Sequence, residues 1–577
     1  MEYFILIIIS LTLYLVSKKI NTLIFKQSNN ILINTFIFSY FFLIIYLIFS
    51  FFFIFNIDGQ IISYVIIFFI FFGSLFLRNE IFNLVKNFNL KIIKKNKIIF
   101  LAVFLYFLLI LFPAYDEDSL RYHLAIAKKI NNNTFYENTW LDYLVVGAHE
   151  FINSFSLHLK FEKISSYSNF IFLIFIIFYN YYILKKYKVG SGILSSFILL
   201  ACPYLLSLLS SQKFFLLPCY IVTYSLAYLY LEKNIKISII YLLLFINIFC
   251  SIIKPTFIPY LVLLGFWSLY KIKDYKNRIL YCFFGIIFTV ICYAPLYIIK
   301  SKIYNDPFLI FFSNNPNNYE WFYEYREFLS KINMDYSDKI KNQFIKFFIL
   351  PVKLILPLHF SDISKTLGLG LLFLFSIDFK KNKNIFYLII LFILSVLMIE
   401  NLQNRWFLPL LIFISIFANT SRIKYLFLIL KLQVVCLIIV LIPLSFLTFL
   451  ESFNIIEKKF ILNNFLKSHH QYVEKINNKY KGEKIFSTLN DFYNLNNVVP
   501  VYYPDLVVKY DKNFYKRNEN NTKLILWNNY ALKDIDDFIE RHLSCKSYEK
   551  VEEISYNDRR IYFMKSYRNL SLYKLKC

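Results

Sequence analysis

KIIFLAVFLYFLLILFPAYDEDSLRYHL, residues 97–124, joins an apolar run to three consecutive acids, Asp116, Glu117 and Asp118. After Lys97 the run carries no charge as far as Phe112. A helix needs roughly 20 mostly apolar residues to cross a bilayer core, and charge at its edge is costly to desolvate. The stretch therefore decides the class of protein and marks the place to look for chemistry.

Working outward, the same apolar pattern recurs as far as residue 450. The chain has 577 residues, 58% of them hydrophobic, and runs with span-like length lie near 3–17, 31–55, 60–77, 98–114, 166–184, 189–209, 214–231, 236–252, 256–271, 279–299, 364–377, 384–400, 406–419 and 424–449. The expected fold class is an all-α polytopic membrane protein with about 13 to 14 transmembrane helices. The first run, YFILIIISLTLYLV, resembles the core of a signal peptide, yet it lacks a basic leader and a small-x-small cleavage site and is read as a helix. The segment 345–360 is short and broken by proline, which suits a re-entrant or interfacial helix pair better than a span.

The net charge of +26 does not point to a nucleic-acid partner. Lysines and arginines fall in short clusters between apolar runs, among them Lys18/Lys19, Lys185/Lys186/Lys188, Lys271/Lys273/Lys276/Arg278 and Arg422/Lys424. These clusters lie on alternate connectors, and the positive-inside rule makes that side cytoplasmic. The opposite side receives the 115–165 loop, which holds seven acids against five bases, together with the 300–343 connector and everything after Glu451. The acidic loop and the tail are therefore expected on the extracytoplasmic side, which in a bacterial inner membrane is the periplasm.

Three regions follow: additional N-terminal helices over 1–97, a transmembrane module over 98–450 with its second large loop at 300–360, and a soluble domain over 451–577. In that tail GEKIFSTLN and TKLILWNN read as strands and DIDDFIERHLS as an amphipathic helix, so a small α/β or α+β domain is expected. Six of the eight cysteines lie in or beside apolar runs; Cys545 and Cys577 fall in the tail, where pairing is left open.

Read as a helix, DSLRYHLAIAKKI puts Leu120, His123, Leu124, Ala127 and Ile130 on one stripe and makes Asp118 and Tyr122 neighbours one turn apart. Asp118 is expected at its N-cap.

The run Asp116-x-Asp118-Ser119-Leu120-x-Tyr122-His123-Leu124 resembles the first-loop signature of GT-C superfamily integral-membrane glycosyltransferases, in the branch similar to protein mannosyltransferases and the lipid A aminoarabinose transferase. The resemblance spans roughly 98–450 and implies a sugar moved from a polyprenyl-phosphate donor to a lipid, glycan or protein acceptor. Asp116 or Asp118 would act as catalytic base, and the resemblance does not choose between them. Arg405 in NRWFLPLLIF and Lys254 in SIIKPTFIPYL match more loosely and would hold the phosphate. Tyr122, His123 and Glu150 are further binding candidates. Asp116 and Asp118 could alternatively hold a divalent cation, Mg or Mn, since hard metals favour clustered carboxylates. The bland readings are a solvated helix cap for the acids, an interfacial packing role for His123 and a snorkelling anchor for Arg405. A transporter, flippase or polymerase of lipid-linked oligosaccharide is the competing class. Transporters call for charges inside the spans and repeat symmetry, whereas the apolar runs here are nearly free of ionisable residues and show no such symmetry.

Overall fold

The computed structural model describes residues 2–26, 30–86, 96–114, 118–132, 135, 146–187, 190–304, 343–357, 360–379, 383–397, 404–419, 424–453, 455–457, 460–461, 470–489, 491–501, 504–510, 512–528, 534–557 and 567–576. They fall into two compact units. The first lies within Met1–Phe112, Gly147–Pro295 and Asp335–Phe446, and the second within Pro113–Val146, Leu296–Met334 and Leu447–Cys577.

Among the described residues six helices are long and apolar enough to cross a membrane: Leu6–Phe25, Ile31–Ile54, Gly59–Phe76, Ile164–Ile183, Tyr275–Ile303 and Lys424–Ser452. By length and composition they are the helices of a multi-pass membrane protein. Gly59–Phe76 turns Phe68, Phe69, Phe71, Phe72 and Phe76 outward, an apolar surface suited to lipid.

The expected 13 to 14 spans are thus not all met at full length, and the reasons are local. The 189–209 run is cut by Pro203 into helices Gly192–Leu200 and Tyr204–Leu209, because proline lacks the N–H that would continue the ladder. The 256–271 run opens with a 3-10 turn at Pro255–Phe257 before helix Ile258–Lys271. The 364–377 run becomes a 3-10 helix at Leu369–Ser376, preceded by Gly368 in the left-handed region at φ 82°. Of the expected 345–360 helix pair, Gln343–Ile355 is one helix with Pro351 inside it.

Inside the first unit, polar side chains tie helices together. The Tyr224 hydroxyl donates to Asn180 Oδ1 at 2.5 Å, and Asn247 Nδ2 donates to Ser225 Oγ at 2.9 Å. Asn169 Oδ1 accepts from the amides of Phe215 and Leu216 at 3.1 and 3.0 Å, fixing the start of helix Leu216–Leu231. Such bonds hold helices where apolar burial supplies no drive between them.

The second unit contains a five-stranded sheet of β1 (Lys484–Ser487), β2 (Val498–Pro500), β3 (Thr522–Asn528), β4 (Tyr548–Asn557) and β5 (Tyr567–Leu575), in the order β2-β1-β3-β5-β4. The pairings of β1 with β2 and β3 are parallel, and those of β5 with β3 and β4 are antiparallel. β3 is buried along nearly its whole length, as a central strand covered on both faces must be. Helix Ile535–His542, capped by Asp534, lays Phe538 against Phe486 and Trp527 at ring separations of 5.9 and 5.5 Å. The strands and helix expected in the tail are therefore present. Cys545 in this unit is disulfide-bonded, whereas the six cysteines of the apolar runs are free.

Candidate functional site

The candidate residues gather in two clusters, one in each unit. The first forms where helix Ile237–Ile253 ends. Pro255 disfavours helical backbone at the residue before it, and Lys254 accordingly stands extended at φ −147° and ψ 121°. Its ammonium lies 5.3 Å from the centroid of the Phe215 ring and 6.0 Å from that of Trp406. Arg405 sits in the 3-10 turn Asn404–Phe407 ahead of helix Leu408–Phe417, with its guanidinium carbon 4.7 Å from the same Trp406 ring.

Lys254 and Arg405, 151 positions apart in sequence, thus converge on one indole. Trp406 is itself fixed: its carbonyl accepts the Tyr260 hydroxyl at 3.0 Å and its ring meets Phe215 at 5.6 Å. The Asn404 amide donates to the Lys353 carbonyl at 3.2 Å. Both cations thus lie over aromatic faces, where the ring quadrupole attracts and orients them.

The same corner receives the start of helix Ala148–His158. Gly147 approaches the Ile252 and Ile253 carbonyls so closely that an added Cβ would lie 2.6 and 2.9 Å from them. Its amide donates to Glu150 Oε2 at 2.8 Å, and His149 Nε2 donates to Glu150 Oε1 at 2.6 Å. The other ring nitrogen, Nδ1, lies 3.3 Å from the Ile253 carbonyl, one residue before Lys254. Glu150 is fully buried with both oxygens engaged, the geometry of a helix-start cap.

The second cluster is the first-loop segment. Ser119–His123 forms a π turn, closed by the Leu124 amide on the Ser119 carbonyl, and Leu124–Asn131 continues as α-helix. The expected stripe is buried: Leu120, His123, Leu124, Ala127 and Ile130 all face inward. The expected cap is not formed. Asp118 has helical φ −64° and ψ −38° and makes no side-chain cap bond, because a capping carboxylate reaches back to the first amides only from an extended residue.

Asp118 and Tyr122 are half-buried. The Tyr122 ring lies 4.1 Å from the His123 ring and carries the Arg121 guanidinium at 5.3 Å. Asp116 lies outside the described residues, so the paired-carboxylate cation site is represented by Asp118 alone and no step is derived through a metal.

Sequence reasoning did not single out His149, Phe215, Trp406 or Tyr260. A usable signal existed for two of them: Glu150 stands three residues after Gly147 with His149 between, and Trp406 adjoins Arg405 at a helix start.

No curated protein and no solved structure matches the chain. Residues 74–461, more than half of the sequence, match the family described as the DUF1420 N-terminal domain, and the chain belongs to that family.

Proposed function

We propose that the protein is a membrane glycosyltransferase that moves a sugar from a polyprenyl-phosphate donor to a lipid, glycan or protein acceptor on the extracytoplasmic face. The observation that carries this reading is the convergence of Lys254 and Arg405 on Trp406. A second support is the acidic first-loop sequence, with Asp118 and Tyr122 half-buried at the head of a helix. The bilayer suggested by the apolar helices would supply the phase in which such a donor is dissolved.

The chemistry balances with these groups. Asp118 or Asp116 takes the proton of the acceptor hydroxyl, whose oxygen attacks the anomeric carbon. The bond from that carbon to the phosphate oxygen breaks, and the electron pair leaves with the polyprenyl phosphate. Negative charge on the phosphate grows during this step, and fixed cations stabilise a growing charge most when they need no reorganisation. Lys254 and Arg405 fill that role, and attack from the face opposite the phosphate inverts the anomeric centre.

The test is sugar transfer from a panel of radiolabelled polyprenyl-phosphate sugars to membrane extract by the purified full chain. Wild-type transfer that collapses in Asp116→Asn or Asp118→Asn would support the reading and name the base. Full transfer by both variants would remove the acidic loop from the chemistry, and no transfer from any donor would favour the transporter class.

A further inference from the structure

The geometry points to a role for the tail sheet: through Tyr493 it sets the position of the first-loop segment, making Tyr493 a positioning residue for Asp118, Tyr122 and His123. The significance for sugar transfer rests on the reading above; the clamp itself does not.

Three parts of Tyr493 engage that segment. Its amide donates to the Leu120 carbonyl at 3.0 Å, inside the π turn Ser119–His123. Its carbonyl accepts the Lys128 ammonium at 2.9 Å, and its ring carries the same ammonium at 5.5 Å. The ring also packs against Ala114, Leu120 and Leu124. A π turn is wider than an α turn and costs regular helical bonding, so it persists where tertiary contacts select it. Here the external donor sits at Leu120, between the residues that matter.

Tyr493 can impose this geometry because it is itself anchored to the sheet. Five residues earlier, Thr488 extends β1, with its amide donating to the Leu526 carbonyl of β3 at 3.0 Å. Buried Asp491 Oδ1 accepts the Asn494 amide at 3.3 Å and the Asn494 side chain at 2.8 Å. Asn477, on helix His470–Lys479, donates to the Asn494 carbonyl at 2.7 Å and accepts the Asn496 amide at 3.0 Å. Phe492 and Leu495, on either side, are buried. The path from strand to Tyr493 is therefore short and bonded at each end, which is what a support for a reactive group requires.

The experiment uses the full chain in lipid nanodiscs, comparing wild type with Tyr493→Ala and Tyr493→Phe. Amide exchange is followed over 118–131 and, as an internal control, over 484–487 and 522–528; transfer kinetics are measured alongside. Tyr493→Ala is expected to raise exchange over 118–131 about tenfold while the strands stay protected. It should also lower kcat at least about tenfold, with donor KM unchanged, and Tyr493→Phe should restore both. Unchanged exchange over 118–131 in Tyr493→Ala would overturn the proposal, as would raised exchange with undiminished kcat. Should the wild type transfer no sugar, the exchange arm alone decides the clamp, and the enzymatic reading fails separately.

Discussion

The Trp406 corner of the helical unit and the Ser119–His123 turn of the sheet unit hold their polar groups by opposite means. In the corner, side chains do the holding: Lys254 and Arg405 lie over rings, and Trp406 is fixed by Tyr260 and Phe215. At the turn, main chain does most of it, with the Leu120 carbonyl bonded to the Tyr493 amide and the Tyr493 ring packed on Leu120 and Leu124. A site held by side chains fails when one ring is removed. A site held by backbone survives most substitutions and is sensitive chiefly to changes in the supporting domain.

The sharpest way to break this contrast is Asp118→Asn. Loss of a general base costs about 10²–10⁴ in rate, and because asparagine keeps the shape of the side chain the melting temperature should change far less. A transfer assay with a thermal melt checks both, and a fall in stability matching the fall in rate would return Asp118 to a structural role.

Trp406→Leu comes next. Removing a buried aromatic costs roughly 3 kcal/mol, and both cations lose their platform. Donor KM should rise more than kcat falls. Arg405→Lys, which keeps the charge, should show a milder rise of the same kind, since a lysine lacks the planar fork that pairs with phosphate. Equal KM for all three proteins would sever the corner from donor binding.

Gly147→Ala tests whether the corner is close-packed. Its Cβ would meet backbone carbonyls at 2.6 and 2.9 Å, and backbone cannot swing aside, so a loss of about 1–3 kcal/mol is expected in denaturant melts. A neutral outcome would mean that the start of helix Ala148–His158 can draw back from Ile252 and Ile253.

The smallest effect is electrostatic. Burial lowers the pKa of His158, partly offset by Asp58. The unfolded chain then binds a proton more readily than the fold, so stability rises with pH through the window ending near about 6.5 and falls on acidification below it. His158→Gln should flatten that acid limb in melts recorded between pH 5 and 8.

What could be read from sequence tracks how local the cause is. The stripe from Leu120 to Ile130 follows helical spacing and is buried as expected. The strands at 484–487 and 522–528 are legible as short apolar runs, one ending before polar loop residues and one followed by Asn529. The capping role expected of Asp118 fails because a π turn, selected by distant Tyr493, extends helical backbone through it. Where an expected span is not met at full length, the cause is again local: Pro203 cuts the 189–209 run into two short helices. The resemblance marked Lys254 and Arg405 as candidates separately, but only the fold reveals that a single indole receives both.

The bonded state of Cys545 makes the molecule a recorder of its own insertion. Disulfides persist in oxidising compartments and are rare where thiols are kept reduced. On the proposed extracytoplasmic placement of the tail, the inserted chain would shield this sulfur from alkylation until a reductant is added, whereas a chain threaded the other way would hold it as a free thiol on the reducing side. A membrane-impermeant maleimide, applied with and without reductant, would therefore read the handedness of insertion from a native residue, without any engineered tag.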